Sequence, residues 1–246
     1  MKLLWKIQKS DIKKVKSFYK AHRNNVFVLN RINSNVKKKD HVFSKVEFWQ
    51  WMIVCLITTQ QRSGPDSAVS RFILTKPFPL TYSKCKQSAN LKKSVERVIT
   101  NFGGLRRAKR ISDEVEYNFR WLENNGWPVI KKMVQSLGHK HTPKGEREWA
   151  EEIAKNLKGF GPKQSRNLLQ TLGLTKYETP IDSRITKWLN DFGFPIKLSA
   201  AALADKNYYN FVMDGFQKIC EESGIYPCEM MLPYLQVLIG NGLKTS

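Results

Sequence analysis

The stretch L-K-G-F-G-P-K-Q-S-R-N-L-L, residues 157–169, separates two runs of helical periodicity and decides the fold. Gly159 is suited to end the first helix, and Gly161 allows a second close or left-handed backbone step. Pro162 suits the first position of the next helix. Three apolar residues can pack the two helices together: Leu157, Leu168 and Leu169. The pattern predicts a helix-hairpin-helix.

The turn of such a hairpin is suited to an anion. Backbone N–H groups of the turn and of the second helix's first turn point outward, at the positive end of the helix dipole. A backbone phosphate fits this nest. Taken alone, the motif indicates a non-specific hold on DNA, which ligases, polymerases and nucleases also use. An ordinary pair of packed helices would show the same apolar pattern.

The overall charge favours a polyanionic partner. The 246 residues carry a formal net charge of +21, with 42 Lys/Arg against 21 Asp/Glu. The excess is concentrated in three windows, residues 1–45, 84–110 and 155–187, whose net charges are +11, +8 and +5. A positive field of this size attracts nucleic acid or an anionic membrane. Clustering favours a nucleic-acid surface over a uniformly solvated one.

Cysteine usage and hydropathy indicate an intracellular protein without a membrane span. Cys55, Cys85, Cys220 and Cys228 form no C-x-x-C pair and suggest reduced thiols. The longest apolar stretch, residues 46–57, is too short for a bilayer, and the N-terminus shows no signal peptide. Neither the spacing of Cys220 and Cys228 nor the H-K-H of residues 139–141 favours a metal site.

Helical periodicity dominates the chain and predicts an all-α protein of two interleaved helical subdomains. Residues 26–32, V-F-V-L-N-R-I, are the one segment that could form a short strand, and residues 138–145 predict a loop. Helices are predicted at residues 11–20, 46–60, 68–74, 92–102, 107–122, 146–157, 183–190, 199–221 and 230–238, with one more beginning at Pro162.

The expected organisation has three parts. A basic N-terminal segment, residues 1–45, packs with the C-terminal subdomain. Residues 46–180 form the helical subdomain that contains the hairpin, and residues 181–246 form the C-terminal helical subdomain.

An aspartate follows the hairpin in the stretch P-I-D-S-R-I-T-K-W-L. Asp182 stands nineteen positions after Lys163. Alone it could simply cap the helix that follows, because aspartate is favoured at the N-cap. The combination indicates more: a DNA-binding hairpin, a lysine on the first turn of its second helix, and a downstream carboxylate.

These residues together resemble the helix-hairpin-helix base-excision DNA glycosylases, a family that includes endonuclease III and the 8-oxoguanine DNA glycosylases. Lys163 falls where bifunctional members carry their Schiff-base lysine, and Asp182 where the family carries its catalytic aspartate. I-T-T-Q-Q-R-S, residues 57–63, resembles the loop that replaces an extruded base, with Gln60 the best match. G-G-L-R-R-A-K-R-I, residues 103–111, resembles the family's glycine-rich turn and basic helix.

The resemblance also bears on cofactors. Many endonuclease III-like members bind an iron-sulfur cluster through four C-terminal cysteines, whereas this C-terminal region offers only Cys220 and Cys228. We therefore expect no cofactor and no metal. A Schiff-base lysine without a cluster is similar to the 8-oxoguanine branch, which implies an oxidised purine substrate and a cleft between the two subdomains.

A DNA-binding surface is implied as well. The expected contacts come from the base-replacing loop, the glycine turn and the hairpin: Gln60, Gln61, Arg62, Arg106, Arg107, Lys109, Lys158, Gly159 and Gly161. The polar side chains among them could instead face only water. Three residues are candidates for the base pocket, although aromatic residues at such positions more often belong to a core: Trp51, Phe160 and Asn167.

The chemistry gives the catalytic pair defined tasks. Departure of a base leaves positive charge on the sugar, which the Asp182 carboxylate can stabilise. Lys163 must be neutral to attack C1′, so its ordinary pKa of ~10.4 has to fall. A position on the first turn of a helix, partly desolvated, lowers it.

The sequence thus predicts a monomeric, intracellular DNA glycosylase with AP (β) lyase activity that removes 8-oxoguanine from duplex DNA. Two alternatives stay open. One is a related enzyme for oxidised pyrimidines or alkylated purines. The other is a non-enzymatic DNA-binding protein that uses the hairpin alone.

Overall fold

The computed structural model of the chain describes residues 5–37, 43–139 and 141–230. These residues form helices joined by turns and loops, and no strand occurs among them, which confirms the predicted all-α class. The α-helices are α1 Lys9–His22, α2 Val26–Arg31, α3 Lys45–Ile57, α4 Ala68–Leu74, α5 Tyr82–Lys86, α6 Leu91–Phe102, α7 Ala108–Trp121, α8 Trp127–His139, α9 Pro143–Asn156, α10 Pro162–Thr171, α11 Ser183–Phe192 and α12 Lys206–Glu222.

Helix α3 is the centre of the larger core. Ser44 caps it by accepting a hydrogen bond from the Glu47 N–H at 3.2 Å, and the Glu47 carboxylate accepts one from the Ser44 N–H at 2.7 Å. This reciprocal pair satisfies two donors that would otherwise lack partners. Residues 52–57 are all buried, so the helix is enclosed on every side in its second half. It ends at Ile57, three residues before the predicted end.

The apolar interior has two parts. The larger cluster draws on α3 through α10 and includes Trp49, Ile99 and Leu168, all fully buried. The smaller cluster joins Val15 of α1 to α11 and α12. Tyr19 of α1 also donates a hydrogen bond to Glu229. The buried residues of the larger cluster lie within residues 46–180, and the smaller cluster joins Val15 of the N-terminal segment to residues after 180. The three-part division itself stays a proposal.

Residues 26–32 do not form the strand that the sequence allowed. They form α2, which continues as a π-helical turn, Ile32–Lys37. The Ser34 hydroxyl donates to the Asn30 carbonyl at 2.7 Å, and buried Arg31 donates to the Gln170 carbonyl at 3.1 Å. Val and Phe favour strands only where a neighbouring strand exists. Within the described ranges there is none, so local helical bonding prevails.

Two further predictions need correction in the middle of the chain. Helix α7 continues through a π-helical turn, Leu122–Gly126, into α8, which was not predicted. The expected loop at residues 138–145 is consequently short, because α8 runs to His139 and α9 begins at Pro143. Thr142 caps α9 by accepting a hydrogen bond from the Gly145 N–H at 3.0 Å. The predicted helix at residues 230–238 lies, apart from Met230, outside the described residues.

Candidate active site

The predicted helix-hairpin-helix is formed by α9, a turn at residues 157–161, and α10. Gly159 has a φ of +87°, and a Cβ there would lie 2.6 Å from Leu56 Cδ2 and 2.7 Å from Glu114 Cδ. Only glycine fits this position without strain. Gly161 differs from the prediction: its backbone is extended, with φ −93° and ψ −170°, and it stands at the N-cap of α10, before Pro162.

Helix α7 is hydrogen-bonded to the turn of the hairpin. The Asn118 side chain donates to the Lys158 carbonyl at 3.0 Å and accepts from the Lys158 N–H at 2.7 Å. This reciprocal pair fixes the backbone immediately before Gly159. A groove of about 460 Å³ runs beside it, lined by basic and acidic side chains of α7 and by the turn: Arg107, Lys109, Arg110, Asp113, Glu114, Lys158 and Gly159.

Lys163 and Asp182, the predicted catalytic pair, line one small cleft. Its volume is about 40 Å³, and the other lining residues are Thr58, Ser63, Gln164, Asn167, Pro180 and Arg184. Lys163 lies on the first turn of α10. Asp182 is the N-cap of α11, where its carboxylate accepts hydrogen bonds from the Arg184 N–H at 2.9 Å and the Ile185 N–H at 3.2 Å. The aspartate therefore serves as a helix cap and also faces the cleft.

Arg184 pairs with the same carboxylate. Its Nε donates to Asp182 Oδ2 at 2.8 Å, and Nη2 donates to the same oxygen. The Asp182 side chain is only 11% exposed, and burial raises its pKa. The hydrogen bonds and charge of Arg184, with a smaller effect of Lys163, outweigh burial and hold the pKa of Asp182 below its ordinary value. The carboxylate is therefore ionised near neutral pH.

Lys163 shows the opposite balance. Its side chain has exposed surface, yet protein atoms surround it closely on the cleft side. This desolvation lowers the pKa of Lys163 by more than attraction to Asp182 raises it. Repulsion from Arg184 lowers the pKa further. The net pKa lies below the ordinary value for lysine. That is the direction a lysine nucleophile needs, since only the neutral amine attacks carbon.

The segment that delivers Asp182 is held by buried carboxylates. Glu146 of α9 is fully buried and accepts hydrogen bonds from the backbone N–H groups of Lys176, Tyr177 and Glu178, each at 2.8 Å. Burying a carboxylate is costly unless it is fully hydrogen-bonded. The three bonds fix the backbone of residues 176–178, which leads directly into the aspartate.

A second buried network joins that segment to α10 and α12. Glu178 pairs with Arg166, which is 1% exposed, and with Arg147 through bonds of 3.0 and 2.8 Å. Arg166 also donates to the Pro162 carbonyl at 3.0 Å and lies 4.5 Å from the centre of the Tyr209 ring. Pro162, the residue directly before Lys163, is therefore bonded to this network.

Tyr209 completes the connection on the aspartate side. Its hydroxyl donates to the Thr179 carbonyl at 2.9 Å and accepts from the Ile181 N–H at 2.6 Å. Ile181 immediately precedes Asp182. The network therefore contacts the neighbours of both cleft residues, Pro162 before the lysine and Ile181 before the aspartate.

Comparison with known proteins identifies solved structures that have a similar fold. No protein-family model matches the chain, and no curated protein matches it either. Among solved structures, the 8-oxoguanine DNA glycosylase of Methanocaldococcus jannaschii superposes with a TM-score of 0.63 and 16% identity, over 96% of this chain and 98% of that one. A structure of the 8-oxoguanine glycosylase/lyase of the same organism with 15mer DNA containing 8-oxoguanine gives 0.62 and 18%, over 94% and 100%. The 8-oxoguanine DNA glycosylase of Thermotoga maritima gives 0.62 and 14%, over 95% and 98%.

The chain has the fold of the 8-oxoguanine DNA glycosylases. At these identities the similarity concerns the fold alone, and it extends over nearly the whole chain. The hairpin, Lys163 and Asp182 therefore lie in a chain whose fold is the one that the resemblance implied. In addition, no helix among the described residues is long and apolar enough to cross a membrane.

Within this glycosylase fold, the predicted base-replacing loop and the glycine turn are bonded to each other. Gln60 has a φ of +55°, which turns the chain sharply after α3. The Gln61 side chain donates to the Ile57 carbonyl at 2.8 Å and accepts from the Arg106 N–H at 2.6 Å. Arg107 donates to the Thr59 carbonyl at 3.0 Å. Gln61 and Arg107 therefore bond to other parts of the protein. Contact of these two residues with DNA stays a prediction, as does contact of Arg62 and Lys109.

The three base-pocket candidates separate. Asn167 lines the cleft, and its amide donates to Gln164 Oε1 at 3.2 Å. Phe160 is 4% exposed and belongs to the larger core, and Trp51 is half-buried against that core. Neither aromatic is part of the lining of the Lys163 cleft. Their placement supports a packing role for both.

Several site residues were not identified from the sequence. Arg184 stands two positions after Asp182, and its charge alone could have suggested a pairing. Gln164, which donates to the Cys55 carbonyl at 2.9 Å, gave no signal. The buried network of Arg166, Glu178 and Tyr209 was also missed, because its members come from three separate parts of the chain.

Within the part of the chain that the structure describes, residue types that ligate metals do not cluster into a site. All four cysteines are buried and free, and His141 pairs with Glu146 at 2.9 Å. Across residues 5–37, 43–139 and 141–230, no group of three or more His, Cys, Asp or Glu side chains has the arrangement of a metal site.

Proposed function

We propose that this protein is a base-excision repair DNA glycosylase with AP (β) lyase activity, and that it removes 8-oxoguanine from duplex DNA. The observation that carries the proposal is the shared cleft of Lys163 and Asp182 beside a helix-hairpin-helix. The fold similarity to 8-oxoguanine glycosylases supports it, as does the net charge of +21. We further propose that it works as a monomer inside the cell, in the compartment that contains the DNA.

The first step is extrusion of the damaged nucleotide from the helix, which costs a few kcal/mol. Backbone N–H groups at the start of α10 and basic side chains beside Gly159 would hold the distorted strand. The cleft, at about 40 Å³, has room for a few water molecules at most. DNA binding must therefore widen it before a base can enter.

The chemical step follows at C1′ of the extruded nucleotide. The neutral Lys163 amine forms a bond to C1′ while the bond from C1′ to the base nitrogen breaks, and the base leaves with the electron pair and takes up a proton. Asp182 stabilises the positive charge that develops on the sugar. The lysine nitrogen then loses a proton, and the resulting N,O-acetal opens by breaking its C1′–O4′ bond to give a Schiff base. Loss of a proton from C2′ then expels the 3′ phosphate by β-elimination. Hydrolysis of the Schiff base returns Lys163.

A trapping experiment tests this mechanism. Borohydride added to the enzyme with duplexes carrying 8-oxoguanine, thymine glycol, uracil or 3-methyladenine should reduce the Schiff base to a stable covalent complex. We expect trapping with the 8-oxoguanine duplex and no trapping by Lys163→Gln. Lys158→Gln, a lysine of the same hairpin outside the cleft, is the matched control and should still be trapped at saturating enzyme.

The other outcomes discriminate between the alternatives. Trapping only with thymine glycol would indicate an enzyme for oxidised pyrimidines. Release of 3-methyladenine without trapping would indicate an alkylated-purine glycosylase. Binding to every duplex with neither base release nor nicking would leave a DNA-binding protein and reject the enzymatic proposal.

A further inference from the structure

Helix α1 carries a row of lysines that the proposed reaction does not use. Lys9, Lys13, Lys16 and Lys20 follow one another at intervals of four, three and four residues, and all four are exposed. At 3.6 residues per turn, these intervals place them within about 60° of the helix circumference. They form a straight row about 16 Å long, at a rise of 1.5 Å per residue. We call this set the α1 lysine row.

The charge of the row is not neutralised locally. Among the described residues, none of the four lysines has a carboxylate within ion-pair distance, whereas several lysines elsewhere do. Asp11 is the acidic residue of α1, and its carboxylate accepts the Gln8 N–H at 2.9 Å as part of the helix cap. Arg23, directly after α1, is exposed and extends the positive charge.

The contacts of α1 give the direction of the row. Trp5 packs on Phe194 with ring centres 4.9 Å apart, Lys14 lies 5.9 Å from the centre of the Phe192 ring, and Phe18 packs on Trp188 at 5.6 Å. Residue numbers rise along α1 as they fall along α11, so the two helices run in opposite directions. The Lys20 end of the row therefore lies toward the start of α11, which Asp182 caps.

We propose that the α1 lysine row binds the phosphate backbone of duplex DNA on one side of the lesion, beyond the reach of the hairpin. A row of about 16 Å matches about five phosphates of one strand, which are spaced ~3.4 Å apart along the axis. A membrane surface is a poorer fit, because the apolar side of α1 is already packed through Val15 and Phe18. With its Lys20 end toward the start of α11, the row would extend the binding surface outward along the duplex. This inference rests on the proposed function.

The experiment measures how binding depends on salt. Fluorescence anisotropy follows the full-length protein on a duplex of about 30 base pairs with a central tetrahydrofuran abasic-site analogue, over a range of KCl. Each phosphate contact adds about 0.9 to the slope of log K against log salt. We expect the variant Lys9→Gln/Lys13→Gln/Lys16→Gln/Lys20→Gln to lower that slope by about 2 to 4. Single-turnover activity at saturating protein should not change.

Truncated duplexes and a matched control make the test specific. Removing the duplex arm on one side of the abasic-site analogue should abolish the difference between variant and wild type, and removing the other arm should preserve it. The control replaces four exposed lysines of the larger subdomain that lie outside the three basic windows, Lys76, Lys131, Lys132 and Lys144, by glutamine, with the same change in net charge. An unchanged slope in the row variant, an equal fall in the control, or a difference independent of both arms would overturn the inference.

This test is separate from that of the proposed function. Loss of slope in the row variant of a protein that cleaves no lesion would leave the DNA-binding row standing and reject the enzyme. Lesion cleavage with an unchanged slope would reject the row alone.

Discussion

Lys163 and Asp182 reach the same cleft from two regions that are held together by different forces. The lysine stands on a regular helix, packed through fully buried Leu168 and Leu169. The aspartate ends a non-helical segment that is fastened by two buried carboxylates, Glu146 and Glu178. The helix that carries the lysine is fixed mainly by apolar contact, with Arg166 linking it to the buried charges, and the aspartate segment is fixed by desolvated charge.

This difference determines how each region should fail. Truncating an apolar side chain lowers the free energy of unfolding in proportion to the atoms removed, and the cost is reduced where neighbouring side chains relax into the space. A buried ion that loses its partner is left uncompensated and costs more, about 3–5 kcal/mol. The aspartate segment should therefore be the more brittle of the two, although it is the one with the more hydrogen bonds.

The largest expected effect is that of Glu178→Gln. The substitution keeps the shape but leaves Arg166, which is 1% exposed, without its carboxylate. We expect the free energy of unfolding to fall by about 3–5 kcal/mol in urea denaturation. Glu148→Gln, an exposed glutamate paired with Lys144 at 3.8 Å, is the control and should be close to wild type. Equal behaviour of the two variants would remove the distinction between the regions.

Next in size is a comparison of two glycines of the hairpin. Gly159→Ala forces a left-handed residue to carry a Cβ that overlaps Leu56 and Glu114, so we expect a loss of about 1–3 kcal/mol. Gly161→Ala meets open space at an ordinary φ of −93° and should change stability little. Urea denaturation of both variants checks this. A larger loss for Gly161→Ala would contradict the assigned hairpin geometry.

A smaller effect is expected in activity from Tyr209→Phe. The change removes the hydroxyl that joins Thr179 to Ile181, so Asp182 loses a support on its N-terminal side. We expect a roughly 10-fold fall in single-turnover base excision with the DNA Kd unchanged, since a small misplacement affects the chemical step. Tyr208→Phe, which removes a hydroxyl that accepts the Ser199 N–H at 2.8 Å, is the matched control. A fall in DNA affinity with unchanged excision would assign Tyr209 to binding.

The smallest effect should be a shift in pH dependence for Arg184→Gln. Arg184 lowers the pKa of Asp182 and also that of Lys163. In the proposed mechanism the rate of Schiff-base formation rises with pH as each group loses its proton, so removing Arg184 should move both inflections to higher pH. Because the native pKa of Asp182 is depressed, its contribution to stability is lost as pH falls through that pKa, and the variant should lose it at a higher pH. Inflections that move to lower pH would contradict the assigned charges.

The two regions also differ in how well the sequence predicts them. Lys163, Gly159 and Pro162 lie in a periodic stretch whose turn residues specify a hairpin, so the lysine's place on α10 could be inferred directly. Asp182 was found through its distance from Lys163 and the family resemblance, and its capping of α11 follows from residue type. The pairing of Arg166 with Glu178 could not be inferred, because contacts between distant residues leave no periodic signal.

Elsewhere the same limit applies. Helix α3 was evident from its apolar run, whereas α2 was ambiguous because β-branched residues occur in both helices and strands. Trp51 and Phe160 were candidates for the base pocket on residue type alone. Their packing in the larger core depends on the arrangement of helices, which a single sequence does not contain.

The buried cysteines have a consequence for the conditions under which such a protein works. An enzyme that acts on oxidised DNA operates where oxidants are present. Burial raises the pKa of Cys55 and that of Cys85 to about 12, and it raises the pKa values of Cys220 and Cys228 as well. Thiolates are the species that oxidants attack, so these sulfurs resist oxidation as long as the fold is closed. The packing that builds the two cores thus also shields the cysteines of the protein from the class of oxidants that produces its proposed substrate.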